Sequence, residues 1–141
     1  MKIFKHKNGI IDNSSVRIMG ILNITPDSFS DGGLYFDSAA ASAHADKMID
    51  DGADIIDIGA MSTRPGSEKI TFEREIDRLE RVLYGIREKS DIPISIDTVY
   101  PETADFALEN GADIINDVTG VFNGEMASVA KKHGAGWIVM H

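Results

Sequence analysis

Two stretches of this chain, Asp51-Gly-Ala-Asp-Ile-Ile-Asp57 and Asn110-Gly-Ala-Asp-Ile-Ile-Asn116, are nearly the same heptapeptide. Each reads as a helix end, a glycine turn and a buried strand, and His133-Gly-Ala-Gly-Trp-Ile-Val139 is a looser third copy. A corner that leads from helix to strand and recurs is what a β/α barrel or an open parallel sheet produces. A chain that repeats it has little freedom to fold as a sandwich or a bundle.

The rest of the sequence alternates accordingly. Apolar runs at Arg17–Asn23, Ile55–Gly59, Ile94–Asp97, Ile114–Asp117 and Gly136–Met140 predict five strands. Between them, Thr71–Lys89 carries Phe72, Ile76, Leu79, Val82 and Ile86 at three- and four-residue spacing, with charged residues filling the other face. Ser38–Asp50 reads as an Ala-rich helix capped by Asp37 or Ser38 and stopped by Gly52. A third helix starts at Pro101 and ends at Gly111, and a fourth spans Glu125–His133 and ends at Gly134. Lys7-Asn8-Gly9, between Ile3-Phe4 and Ile10-Ile11, predicts a hairpin over residues 1–12 that caps the floor of the barrel. The expected organisation is one domain over residues 1–141, with the strands and helices in 16–141.

Every predicted strand ends in polar groups that a core would not select: Asn23, Ser62-Thr63-Arg64, Asp97-Thr98, Asn116-Asp117 and His141. In parallel β/α folds the carboxyl ends of the strands line the ligand site. The first strand runs into a polar stretch, Thr25-Pro-Asp-Ser-Phe-Ser-Asp-Gly-Gly33, longer than a connection of this kind requires. Asp97 either caps the next helix or accepts hydrogen bonds from a donor-rich heterocycle in the mouth, and Asn116 offers a donor and an acceptor to the same ring edge. Asn23 can open an Asx-turn, give oxygen to Mg²⁺, or give nitrogen to a phosphate. Thr63 and Arg64 precede Pro65-Gly66, where the guanidinium either clamps phosphate oxygens or lies in a solvated turn.

Composition narrows the class of partner. A net charge of −9 without a Lys/Arg cluster argues against nucleic acid or an anionic membrane surface. With no cysteine there is neither a disulfide frame nor a thiolate metal site. No segment reads as a leader or a membrane span, and the cytoplasm is the expected location.

The strings Met19-Gly-Ile-Leu-Asn-Ile-Thr-Pro-Asp-Ser-Phe-Ser-Asp-Gly-Gly33, Gly52–Gly59 with Ser62-Thr-Arg-Pro-Gly66, Ser95-Ile-Asp-Thr98 and Ile114-Ile-Asn-Asp117 together resemble the dihydropteroate synthase family. The resemblance covers nearly the whole chain. It implies the N-terminal part of a (β/α)₈ TIM barrel of the pterin-binding type, with five parallel strands and four helices after a short β-hairpin. The implied reaction is displacement of diphosphate from 6-hydroxymethyl-7,8-dihydropterin diphosphate by p-aminobenzoate, giving 7,8-dihydropteroate for folate biosynthesis. By position, Asp97 and Asn116 hold the pterin with Met140 near the ring. Asn23 sits by the diphosphate and its Mg²⁺, and Thr63 and Arg64 belong to the second loop. Asp27, Ser28, Phe29 and Asp31 lie in the first loop, and Asp27, Asp31 and Arg64 are the implied catalytic groups. The full-length protein is expected to be a homodimer.

Two departures qualify the resemblance. The family's second motif reads Gly-Gly-Glu-Ser-Thr-Arg-Pro-Gly, and here Ala60-Met61 replaces its Gly-Glu. A whole barrel takes about 250 residues, so five of eight strands are expected in this chain and isolated activity is not. Two other readings compete: a methyltetrahydrofolate-binding methyltransferase of the same fold, and a non-catalytic half-barrel that pairs its edges. Thr25–Ser30 and Ser62–Pro65 weigh against the methyltransferase, which has no use for diphosphate-binding loops.

Overall fold

The computed structural model describes residues 3–25, 38–61 and 69–140. Asp37, one of the two expected caps of the first helix, lies outside them, as do Asp27, Ser28, Phe29, Asp31, Thr63, Arg64 and His141. The chain opens with an antiparallel hairpin, β1 (Ile3–His6) and β2 (Gly9–Asp12). It continues as β3 (Met19–Asn23), α1 (Ser38–Asp50), β4 (Ile55–Gly59), α2 (Phe72–Arg87), β5 (Ile94–Asp97), α3 (Pro101–Glu109), β6 (Ile114–Asp117), α4 (Gly124–His133) and β7 (Gly136–Val139).

Strands β3 to β7 form one parallel sheet in the order β3-β4-β5-β6-β7, with no reversal. That decides between the two architectures the repeat allows. A doubly wound open sheet reverses its strand order and carries helices on both faces, whereas a barrel keeps chain order with its helices on one side. Here α1 packs on α2, α2 on α3 and α3 on α4, in sequence. All four bury Ala41, Ala45, Leu79, Val82, Leu83, Ile86, Ala104, Ala107, Leu108 and Met126 against Leu22, Ile56, Ile58, Ile94, Ile96 and Ile115 of the sheet.

The other sheet face is closed at its base by the hairpin. Phe4 and Ile11 pack with Met19, Ile55, Ile114 and Ile138 as a second apolar cluster. This is the expected floor plug.

The repeats build the same corner twice. Gly52 and Gly111 adopt φ of 104° and 113°, a left-handed conformation that disfavours side chains. The next residues close the helices, Ala53 N–H bonding Met48 O and Ala112 N–H bonding Ala107 O, both at 2.9 Å. Asp54 then accepts the Ile18 amide at 2.8 Å and the Arg17 guanidinium at 3.0 Å. Asp113 accepts the Ile94 amide at 3.0 Å and the Arg87 guanidinium at 2.5 Å. In each case the aspartate satisfies a donor at the start of the preceding strand. Arg17 and Ile18 serve this corner, and the first strand of the sheet begins at Met19, two residues later than the apolar run suggests.

The third copy carries Gly136 in place of that aspartate. A Cβ there would lie 2.6 Å from Cε1 of Phe4, so the missing side chain makes room for the hairpin.

Candidate functional site

Strand register brings the inward-facing residues into two rows. Asn23, Gly59, Asp97, Asn116 and Ile138 are successive partners across the sheet, and one pleat below run Ile21, Asp57, Ser95, Ile114 and Gly136. Side chains two apart on a strand share a face. The upper row is a rim that carries the polar Asn23, Asp97 and Asn116, Asp57 and Ser95 lie one pleat below it, and Ile55, Ile114 and Ile138 pack with the hairpin towards the base.

Three of the residues singled out by the sequence, Asn23, Asp97 and Asn116, meet at this rim. Asn23 and Asp97 flank Gly59 so closely that a Cβ on the glycine would lie 3.4 Å from Asn23 Oδ1 and 3.5 Å from Asp97 Oδ2. Met140 follows β7 by one residue, 52% exposed, with its amide donating to Asp117 O at 3.0 Å. The first-loop residues, Thr63 and Arg64 lie outside the described segments.

The structure decides one of the two roles open to Asp97, that of a cap for α3. The N-cap position of α3 is Tyr100, with no side-chain cap, and the turn bond into that segment comes from Thr98, whose hydroxyl accepts the Tyr100 amide at 3.1 Å. Asp97 caps nothing. Its Oδ1 is buried without a hydrogen-bond partner, an unusual state for a carboxylate and one a ligand donor would relieve. Asp117, by contrast, is a local cap: its Oδ1 accepts the amide and the hydroxyl of Thr119 at 3.0 and 2.7 Å.

Two residues absent from the sequence reading join the site. Asp57, 3% exposed in the middle of β4, accepts from Asn116 Nδ2 at 3.2 and 3.3 Å. Glu75 of α2 is wholly buried behind the rim, where Thr98 Oγ1 donates to its Oε2 at 2.7 Å. A signal existed for Glu75, since it lies four residues before Leu79 on the apolar stripe of α2. Asp57 closes its heptapeptide as Asn116 closes the other, and that parity could have marked it.

Burial pushes the Asp97 carboxyl up to about 6, with the negative charges of Asp57, Glu75 and Asp117 acting in the same direction. Asp57 is also raised by burial, opposed by Ser95 and Asn116. Such a mouth holds acceptor oxygens with an unmet need for donors, which suits a ring edge bearing N–H groups.

For a cation, the rim offers the neutral Asn23 oxygen, which fits Mg²⁺ as one protein ligand among waters and phosphate oxygens. A second group, Asp105, Glu109 and His133, has ligand atoms within 4.8 Å of one another on α3 and α4. Its groups already serve one another: His133 Nε2 lies 2.6 Å from Asp105, and Lys132 donates to Asp105 and Glu109.

Residues 19–141 match the family model described as pterin binding enzyme. The chain is 50% identical over 142 residues to the dihydropteroate synthase of Streptococcus pyogenes serotype M1, covering 100% of this chain and 52% of that protein. Among solved structures, the Xanthomonas albilineans dihydropteroate synthase with 4-aminobenzoic acid superposes with a TM-score of 0.86 at 37% identity, over 94% of this chain and 49% of that one. The Clostridium difficile dihydropteroate synthase in the presence of pteroic acid gives a TM-score of 0.85 at 46% identity, over 91% and 49%. The chain thus spans about half the length of the relatives it matches, and its five strands and four helices correspond to half of their TIM barrel. With its parallel strands in chain order and its polar rim at their carboxyl ends, this chain belongs to the pterin binding enzyme family.

Proposed function

We propose that this chain forms the pterin-binding half of a dihydropteroate synthase, which joins p-aminobenzoate to 6-hydroxymethyl-7,8-dihydropterin diphosphate with release of diphosphate. The observation that carries this reading is the cluster of Asp97 and Asn116 at the ends of two parallel strands with Asp57 one pleat below on a third, and with Asp97 Oδ1 buried and unpartnered. Pteroic acid and 4-aminobenzoic acid accompany two of the matching structures, and both fit the substrate class.

The pterin ring presents N–H donors beside a ring nitrogen and a carbonyl. Asp97 takes the donors, and Asn116, oriented by Asp57, supplies a mixed edge. Gly59 leaves the space between Asn23 and Asp97 open, so the exocyclic methylene and its diphosphate extend towards Asn23. Asn23 would help to hold Mg²⁺ there, which would supply positive charge to offset that of the leaving anion. As the C–O bond to diphosphate breaks, the electron-rich reduced ring stabilises the cationic methylene. The aniline nitrogen forms the new C–N bond and then loses a proton. The residues of this chain orient the ring and shield the cation from water, and no covalent step on protein is required. Asp27, Asp31 and Arg64 as catalytic groups, and Thr63 and Arg64 as substrate-binding ones, belong to this reading on sequence resemblance alone, since all four lie outside the described residues. Met61, where the family motif carries glutamate, fills its place with an adaptable apolar chain.

The same reading makes the protein a cytoplasmic enzyme of small molecules, in keeping with its net charge of −9 and with a fold in which no described helix is long and apolar enough to cross a membrane. Homodimerisation of the full-length protein completes it. Titration of the chain with the pterin diphosphate, with and without Mg²⁺, alongside sedimentation, tests the proposal. Saturable binding that tightens with Mg²⁺ supports it. A chain that binds nothing in either condition overturns it, and a dimer that binds nothing supports the half-barrel module instead.

A further inference from the structure

Residues 97 and 98 are neighbours on one strand end, and the pleat sends their side chains to opposite faces. Asp97 faces the mouth. Thr98, 1% exposed, faces the helices, and its hydroxyl is held from both sides: it donates to Glu75 Oε2 at 2.7 Å and accepts the Tyr100 amide at 3.1 Å. Its own amide donates to Asn116 O at 3.3 Å, tying the end of β5 to β6.

Glu75 is an unlikely choice for this place unless it has a task. It is fully buried in the layer between α2 and the sheet, and its Oε1 has no hydrogen-bond partner. Burial raises its carboxyl above the ordinary glutamate range, opposed by the hydroxyls of Thr103 and Thr98 and by Arg78. Stability alone would favour a leucine at a helix position between sheet and neighbouring helices. The segments around it are tied to the same spot. Arg78 Nη1, one turn along α2, donates to Ala60 O at 2.8 Å. Tyr100 Oη donates to Ile70 O at 2.8 Å, and its ring meets Phe72 edge-on with centroids 6.5 Å apart.

We propose that Glu75 is a positioning residue for Asp97: by accepting the Thr98 hydroxyl behind the sheet, it fixes the strand end that aims the Asp97 carboxyl into the mouth. The lever is short. One peptide unit separates the gripped residue from the aimed one, so a rotation of the strand end that frees Thr98 must swing Asp97 as well. A displacement near 1 Å at a binding group is enough to cost substantial affinity. The ligand assignment rests on the pterin reading above, whereas the geometric claim about Asp97 does not.

The test compares Glu75→Gln with Glu75→Leu. Both remove the charge and differ in whether an acceptor oxygen remains for Thr98. Two quantities are measured in the whole chain: the affinity for 6-hydroxymethyl-7,8-dihydropterin diphosphate, and the titration midpoint of Asp97 from its carboxyl ¹³C resonance without ligand. The expected result is that Glu75→Leu binds at least tenfold more weakly than Glu75→Gln and has a displaced Asp97 midpoint. Equal affinities and equal midpoints in the two variants, whatever their melting temperatures, overturn the proposal. Should Glu75→Leu fail to fold, Thr98→Val against Thr98→Ser removes the hydroxyl that Glu75 accepts, together with its bond to the Tyr100 amide, and equal affinities and midpoints there also overturn the proposal. If no variant and not the parent binds the pterin diphosphate, the functional reading fails. The ligand-free Asp97 midpoint still decides the positioning role.

Discussion

Asp57 and Asn116 close the two copies of the repeated heptapeptide, and in the folded chain they bond to each other, Asn116 Nδ2 donating to the Asp57 carboxylate at 3.2 Å. One corner motif, used twice, therefore delivers a carboxamide to the rim and a carboxylate one pleat below it, within reach of each other. The substitution of Asn for Asp in the second copy makes the contact a hydrogen bond rather than a repulsion between a buried carboxylate and a half-buried one.

Asn116→Leu removes that donor and leaves Asp57, 3% exposed, with less to offset its burial. The expected cost is about 1–3 kcal/mol of folding stability by denaturant melts. Combined with Asp57→Leu, the cost of Asn116→Leu should fall well below its single-variant value. Additive losses in the double-mutant cycle would show that the pair does not interact energetically.

Asp97→Asn should weaken pterin binding at least tenfold while leaving the fold intact. The pH dependence gives a second check. Burial lifts the Asp97 carboxyl from 3.8 to about 6, so its ionisation is disfavoured in the folded state. Its contribution to stability is whole below pH 4 and is lost as pH rises through about 6. Parent and variant should therefore melt alike below pH 4. Above about pH 6 the variant should be the more stable. An equal loss of binding and stability in the variant at neutral pH would make Asp97 a structural residue.

Gly59→Ala places a methyl group 3.4 Å from Asn23 Oδ1 and 3.5 Å from Asp97 Oδ2, ordinary contact distances. The fold should tolerate it, with a stability change below about 1 kcal/mol. The methyl group nevertheless occupies the passage between the two rim residues, and affinity for the pterin diphosphate should fall about tenfold, measured by titration. Unchanged affinity would place the ligand elsewhere.

Gly136→Ala acts at the other end of the strands. Its Cβ would meet Phe4 Cε1 at 2.6 Å and Lys5 O at 3.1 Å, forcing the hairpin off the floor at a cost of about 1–3 kcal/mol. Phe4→Ala should recover part of that loss by removing the ring. Because the clash falls on the hairpin and not between Asn23 and Asp97, variants that remain folded should keep the parent's affinity within about twofold.

The chain's own pattern determined which segments are strands and helices, and much of the rim. The predicted bounds of Ile55–Gly59, Ile94–Asp97 and Ile114–Asp117 are those observed, because buried parallel strands are marked by unbroken apolar runs whose limits lie in adjacent residues. Asn23, Asp97 and Asn116 were legible for a similar local reason: a polar group at the end of such a run has no core role to fill. Only the tertiary structure decided that the sheet follows chain order, since pairing depends on contacts between distant segments. It also assigned the turn bond to Thr98 and left Asp97 for the mouth. Asp57 looked like one polar residue in an apolar strand until register set it beneath the rim and in reach of Asn116. Glu75 was absent from the sequence reading although it lies on the apolar stripe of α2, and only the packing of α2 against the end of β5 gave that buried carboxylate its partner, Thr98. Both depend on which faces meet, which local sequence does not encode.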